Sequence, residues 1–114
     1  MVRRDYILNK VEELVCRSVN NILDNTGKKS VRADKDLLYS GTTNIPLAFR
    51  IARGICFCIF HERFMMSYAA ISFRSGLSRR NIIRSVRKIK DTPPCDILVC
   101  SILSTVNQQI NDLT

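Results

Sequence analysis

The sequence predicts an all-α fold, a compact bundle of about six helices that contains a helix-turn-helix at about 45–90. Apolar residues recur at intervals of three and four, and no segment alternates between apolar and polar residues as a half-buried strand would. Glycines and prolines stand at the margins of the apolar segments, where helices begin and end. With 114 residues, the chain is expected to form one domain over 1–114.

Six helical segments follow from this spacing. The N-terminal segment has seven apolar residues at helical intervals and is closed by Gly27. A polar stretch then holds one short helix, and Pro46 opens the central helix at a position that favours proline. Thr92, Pro93 and Pro94 begin the last helix in the same way. The predicted helices span residues 6–25, 34–39, 46–62, 67–75, 78–90 and 93–113.

One part of the chain has the pattern of two short helices joined by a tight turn. Ser67 and Ser78 each precede a helix as N-caps, and Gly76 stands where the first helix must stop in a left-handed conformation. Arg79 and Arg80 then occupy the first turn of the second helix, where the helix dipole disfavours each cation by roughly 0.3 to 1 kcal/mol. Such a local cost favours a polyanionic partner.

Positive charge is concentrated on the same unit. The formal net charge is +8, and residues 63–90 contain eight Lys and Arg residues with no Asp or Glu. A surface of one sign is typical of proteins that bind nucleic-acid phosphates. The simpler interpretation, a solvated basic face without a partner, stays open.

Other chemistry is not indicated. Five cysteines and no signal peptide predict reduced thiols in the cytosol, and the apolar run 55–60 is far shorter than the roughly 20 residues of a membrane span. Cys56 and Cys58 diverge on a helix and His61 is the only histidine, so no metal site is expected. No catalytic set of side chains is visible, and we expect neither enzymatic activity nor a cofactor.

From about residue 50 onward the chain resembles the C-terminal DNA-binding domain, domain IV, of the bacterial replication initiator DnaA. The similarity is carried by residues 52–57 in the central helix and by residues 78–82 and 86–89 after the turn. It implies the fold of that domain and binding to double-stranded DNA, as in the short stand-alone DnaA-like proteins of alphaproteobacteria. The chain has no Gly-x-x-x-x-Gly-Lys phosphate loop, so no nucleotide cofactor is expected.

The candidate site residues follow from placing residues 78–90 as a recognition helix in the major groove. The side chains expected to read bases are Ser78, Arg79, Arg80, Asn81 and Arg84. Those expected to hold phosphates are Arg53, Arg74, Arg87, Lys88 and Lys90. The role of Arg53 is implied by the resemblance. The family's arginine-rich loop corresponds here to uncharged residues. The resemblance therefore implies that this accessory DNA contact is either weakened or made instead by Lys28, Lys29 and Arg32.

Three functional hypotheses remain. The first is a small transcriptional regulator that binds double-stranded DNA at the nucleoid, in the cytoplasm. The alternatives are a nucleoid-type or RNA-binding protein with little sequence preference, and a protein-interaction module with a vestigial DNA face. The last helix has a broader apolar face than one packing stripe needs. It is therefore expected either to cover the core or to form a homodimer.

Overall fold

The computed structural model describes residues 3–25, 32–41, 45–91 and 97–113, without the side chains of residues 3, 4, 97, 98 and 113. Five α-helices run through these ranges, with a single 3₁₀ turn between the first two. The helices are α1 (Arg3–Asn25), α2 (Leu47–Glu62), α3 (Tyr68–Ser75), α4 (Arg79–Lys90) and α5 (Ile97–Leu113). The described ranges contain no strand, so the predicted all-α class is confirmed.

The predicted helix at 34–39 is wrong in type, which reduces the helix count from about six to five α-helices in the described ranges. The segment forms only the 3₁₀ turn Lys35–Leu37, capped by the Asp34 side chain. Its backbone is held by side chains from neighbouring helices. Asn20 of α1 exchanges two hydrogen bonds with the backbone of Ala33, at 2.7 and 2.8 Å. These contacts pair the backbone N–H and C=O groups of Ala33 with a side chain of another helix. A longer helix is therefore not required to satisfy them.

α2 is the central helix, as its composition predicts. Nine consecutive residues, 52–60, are buried, so every side of this helix is covered. α1 and α4 make the largest contacts with it, and α3 and α5 complete its enclosure. Phe57 and Phe60 are the largest fully buried side chains of the core. No helix in the described ranges is long and apolar enough to cross a membrane.

The apolar face of α5 is used inside the molecule. Ile102, Val106 and Ile110 are fully buried in the core, where α5 packs mainly on α1. The described residues on its outer side are mainly polar. Of the two expectations for the last helix, the structure shows the cover over the core. The homodimer stays a prediction, and Ile97, Leu98 and Leu113 of the predicted apolar face lie outside the described side chains. The predicted start at 93 also lies outside the described residues.

Candidate nucleic-acid interface

The turn between α3 and α4 has the local geometry that its sequence predicts. The hydroxyl oxygens of Ser67 and Ser78 each accept a hydrogen bond from the amide three residues on, at 3.1 and 3.2 Å. Gly76 ends α3 with a φ of 76°, in the left-handed region. The Ser72 hydroxyl donates to the carbonyl of Leu77 at 2.6 Å. These bonds fix the direction in which α4 leaves the turn, and the Ser78 hydroxyl serves first as a cap.

One face of α4 packs into the bundle. Ile82 and Val86 are buried, and Ile89 lies against Gly54 of α2. A methyl group added at Gly54 would come within 2.7 Å of Ile89 Cγ1, so the glycine allows the two helices to approach closely. The thiol of Cys58 donates to the Val86 carbonyl at 3.7 Å. This packing determines which residues of α4 face outward.

The outward face of α4 is positively charged. Residues at intervals of three and four share a helix face, so Arg80, Arg84 and Arg87 form one stripe and Lys88 lies beside it. All four side chains are exposed. They line one shallow surface groove, together with Asp91 just after the helix. The predicted cationic surface is therefore present as a continuous stripe.

The arginines of α4 make no ion-pair contact with a carboxylate among the described residues. Within the described part of the chain, Arg79, Arg80, Arg84 and Arg87 form no ion pair. The ion pairs that the described residues do form are Lys10–Glu13, Arg17–Glu13, Arg32–Asp24, Arg74–Asp5, Arg74–Glu12 and Lys90–Glu62. Positive charge that no described carboxylate pairs with therefore collects on the arginines of α4.

Arg53 is not on the open surface, where a DNA backbone would lie, so its predicted role is corrected. Arg53 is only 5% exposed. Nε donates to the carbonyl of Leu38 at 2.6 Å, and Nη2 donates to that of Ser40 at 2.7 Å. Burial lowers the pKa of the guanidinium from its ordinary value. Arg53 therefore holds the chain that follows the 3₁₀ turn.

Two further predicted phosphate ligands are paired with glutamates. The side chain of Arg74 is only 20% exposed, and its Nη2 lies 2.9 Å from Oε1 of Glu12. Burial alone would lower the pKa of Arg74, but hydrogen bonds and charge from Glu12 outweigh it and raise that pKa. Its predicted phosphate contact is not supported, because its charge is balanced internally. Lys90 lies 2.7 Å from Oε1 of Glu62, but this exposed pair is weak enough to exchange partners.

The remaining predicted contacts differ in their surroundings. Arg32 is exposed but lies 2.5 Å from Oδ2 of Asp24. Lys28 and Lys29 lie outside the described residues. Asn81 is half-buried at the edge of α4, on the side that faces α2. Of the predicted base-reading residues, Ser78 and the three arginines are thus exposed, and only Asn81 is half-buried.

One group of residues is not indicated by the sequence. A cleft of about 360 Å³ lies between α2, α4 and the beginning of α5. Arg50 and Arg53 line it from α2, and Arg84 and Lys88 line it from α4. The interval between Arg50 and Arg53 places both on one side of a helix. The shared helix side of Arg50 and Arg53 can be read from the sequence, but the position of α4 opposite them cannot.

Side chains that often perform catalysis have structural contacts here. His61 Nδ1 lies 2.9 Å from the carbonyl oxygen of Met66, and its ring stacks on Tyr68 with centroids 4.2 Å apart. A carbonyl only accepts, so Nδ1 is the donor. No three His, Cys, Asp or Glu side chains in the described ranges are grouped so that they could hold a metal ion.

The geometry defines an all-α bundle that displays one strongly cationic helix, next to a cleft with apolar walls. No protein-family model, curated protein or solved structure matches the chain.

Proposed function

We propose that the protein binds double-stranded DNA by placing α4 in the major groove, and that it acts as a small transcriptional regulator of the helix-turn-helix class. One observation carries this proposal: Arg79, Arg80, Arg84 and Arg87 are exposed on a single helix and form no ion pair in the described part of the chain. The major groove admits an α-helix, and DNA supplies the closely spaced negative charges that such a surface lacks.

The order of the cations along α4 assigns their roles. Recognition helices direct their N-terminal residues at base edges, so Arg79, Arg80 and Arg84 read guanines through O6 and N7. Arg87 and Lys88, nearer the C-terminal end, hold phosphates. Ser78 and Asn81 keep secondary reading roles, and Lys90 joins the phosphate contacts by leaving Glu62. Arg80 and Arg84 lie on the same stripe, whereas Arg79 is rotated about 100° from Arg80 around the helix axis. Arg80 therefore contributes more to base recognition than Arg79 does.

The resemblance to the DnaA DNA-binding domain belongs to the same proposal. It rests on the residues from about 50 onward and on the capped turn around Gly76. On the basis of this resemblance we also propose that the protein is bacterial, acts at the nucleoid, and has neither catalytic activity nor a cofactor. The DNA contact that this family would assign to Arg53 is left out, because that side chain is buried.

The test is the salt dependence of binding to a short labelled duplex, chosen by selection from a random pool and measured by fluorescence anisotropy. The three phosphate-facing cations, Arg87, Lys88 and Lys90, give a slope of log affinity against log salt on the order of −3. Arg80→Ala is compared with Arg17→Ala, which removes the same charge from α1. We expect a large loss of affinity for the first and almost none for the second. A flat salt profile, or equal losses, would remove the major-groove assignment.

The same assay separates the regulator from a nucleoid-type protein. Arg80→Ala or Arg84→Ala should cost about 1 to 3 kcal/mol on the selected site and much less on unrelated DNA. Arg87→Ala or Lys88→Ala should weaken binding to all duplexes alike and lower the salt slope by about one unit. If all four variants lose the same affinity on every sequence, the nucleoid-type alternative replaces the regulator.

One observation favours the interaction-module alternative. Phe73 on α3 is 93% exposed, and Ala69 and Ala70, one helical turn earlier, are exposed beside it. An aromatic ring so open to water is a common feature of protein-binding surfaces. If Phe73→Ser abolishes function in cells while DNA affinity in vitro is unchanged, this surface is the functional one.

A further inference from the structure

The cleft beside α4 has walls of aliphatic side chains that the core leaves only partly covered. Leu47 is 41% exposed at its mouth, and Ile45, Ile51 and Ile89 are partly buried. With a volume of about 360 Å³, the cleft is within the size range of small-molecule sites. An apolar group that covers exposed aliphatic surface inside a cleft removes that surface from water, which is favourable.

The charges around the cleft all have the same sign. Arg50, Arg53, Arg84 and Lys88 line it, and its described lining contains no Asp or Glu. Arg53 is the most informative of them. It is buried, it donates to two carbonyls, and it forms no ion pair with any described carboxylate. A buried cation without a counter-charge is costly, so an anion that reached this cleft would be strongly stabilised.

We infer that the cleft binds a small amphiphilic anion, a carboxylate on an acyl chain. The carboxylate lies among Arg50, Arg53, Arg84 and Lys88, and the chain covers Leu47, Ile51 and Ile89.

The lining favours this class over a nucleotide. Its described residues include no aromatic side chain on which a base could stack. Guanidinium groups match the two oxygens of a carboxylate, and the aliphatic walls match an alkyl chain. Charge and surface complementarity therefore point to the same ligand.

Arg84 and Lys88 line both the cleft and the outward stripe of α4. If the proposed DNA binding holds, an anion in the cleft competes for these two side chains and lowers the affinity for DNA. This consequence depends on the proposed function, whereas the binding of the anion does not.

The experiment is an NMR titration of the ¹⁵N-labelled protein with decanoate below its micelle-forming concentration, without DNA. We expect saturable shifts at the amides of α2 and α4 that flank the cleft, and at the Nε–H of Arg53. Decanol and acetate, which each supply half of the ligand, should bind at least about tenfold more weakly than decanoate. Absence of saturable shifts, or equal binding of decanol, overturns the proposal.

Two exposed arginines provide the matched variants. Arg50→Ala removes a charge that lines the cleft, and we expect it to weaken decanoate binding about fivefold or more. Arg87→Ala removes the same charge from α4 outside the cleft and should leave decanoate binding unchanged. Equal effects of the two would overturn the location. A separate anisotropy measurement should show that decanoate, but not decanol, displaces the selected duplex. If decanoate binds without displacing DNA, the regulatory consequence is wrong and the site stands.

Discussion

Glu12 in α1 and Arg74 in α3 form a partly buried ion pair, with Oε1 and Nη2 2.9 Å apart. The Tyr39 hydroxyl donates to the other oxygen of the same carboxylate, and the Arg74 guanidinium lies 5.8 Å from the centre of the Phe60 ring. The pair connects residues 62 positions apart in the chain. It therefore anchors the first helix of the α3–α4 unit to the N-terminal helix, and it withdraws Arg74 from the surface.

Replacing Glu12 by alanine should destabilise the protein strongly, because Arg74 and the Tyr39 hydroxyl would lose a shared acceptor in the interior. We expect a loss of about 2 to 4 kcal/mol in the free energy of unfolding, measured by urea denaturation at neutral pH. Glu13→Ala is the control. It removes an adjacent, exposed glutamate with pairs to Lys10 and Arg17 and should cost less than about 0.5 kcal/mol. Equal losses would contradict the assigned importance of the partly buried pair.

A side chain at Gly54 should separate α2 from α4. Its Cβ would lie 2.7 Å from Ile89 Cγ1 and 3.3 Å from the Ser85 carbonyl oxygen. Gly54→Ala gains about 1 kcal/mol of helix propensity but should still be destabilising overall, because overpacking costs about 1 to 3 kcal/mol. In an Ile89→Ala background the same change should cost little or stabilise the protein. Additive effects of the two substitutions in urea denaturation would show that the contact does not limit packing.

Substitutions at two positions with positive φ should change the stability of the protein in opposite directions. Met65 has a φ of 57° although it is not glycine, and its side chain is 83% exposed. Met65→Gly should therefore stabilise the protein by up to about 1 kcal/mol, since the left-handed strain exceeds the small loss of contacts. Gly76→Ala has open space around its Cβ but a φ of 76°, and should cost about 1 to 2 kcal/mol. Thermal unfolding measures both; changes of the same sign would contradict the backbone argument.

The buried thiols should make the protein less stable at alkaline pH. Burial raises the pKa of Cys58 from 9.0 to about 11 and that of Cys16 to about 12. At a pH between 9.0 and these raised pKa values, the thiols have lost their protons in the unfolded chain but keep them in the folded chain. The free energy of unfolding therefore falls as pH rises. Each thiol contributes up to about 1.4 kcal/mol per pH unit in this window. Urea midpoints at pH 8 and 10.5 measure the effect.

Cys58→Ala provides the control for that experiment. The variant should be less stable than the parent at pH 8, but its further loss at pH 10.5 should be smaller by about 1 to 2 kcal/mol. Iodoacetamide labelling followed by peptide mapping gives a second readout. Exposed Cys100 should react readily at pH 8, while buried Cys16, Cys56 and Cys58 remain protected. Rapid labelling of the buried thiols in the folded protein would contradict the raised pKa values.

The capped turn was determined by the sequence alone, because each of its parts needs only near neighbours. Ser67 and Ser78 bond to amides three residues away, and Gly76 adopts a left-handed φ that needs no partner. The helical interval of apolar residues likewise predicted the central position of α2 and the apolar face of α5, but not that this face covers the core. In these elements local geometry and burial agree, so pattern and structure coincide.

Tertiary structure decided what each arginine does. Arg53 and Arg84 are chemically identical in the sequence, yet one is buried against two carbonyls and the other is exposed on a cationic stripe. The 34–39 segment forms a single 3₁₀ turn, and Asn20 and Arg53 from other helices form hydrogen bonds with the backbone of Ala33 and Leu38. Intervals along one helix reveal which side chains share a face. Which face is buried, and which charge meets a carboxylate, depends on distant segments that only folding brings together.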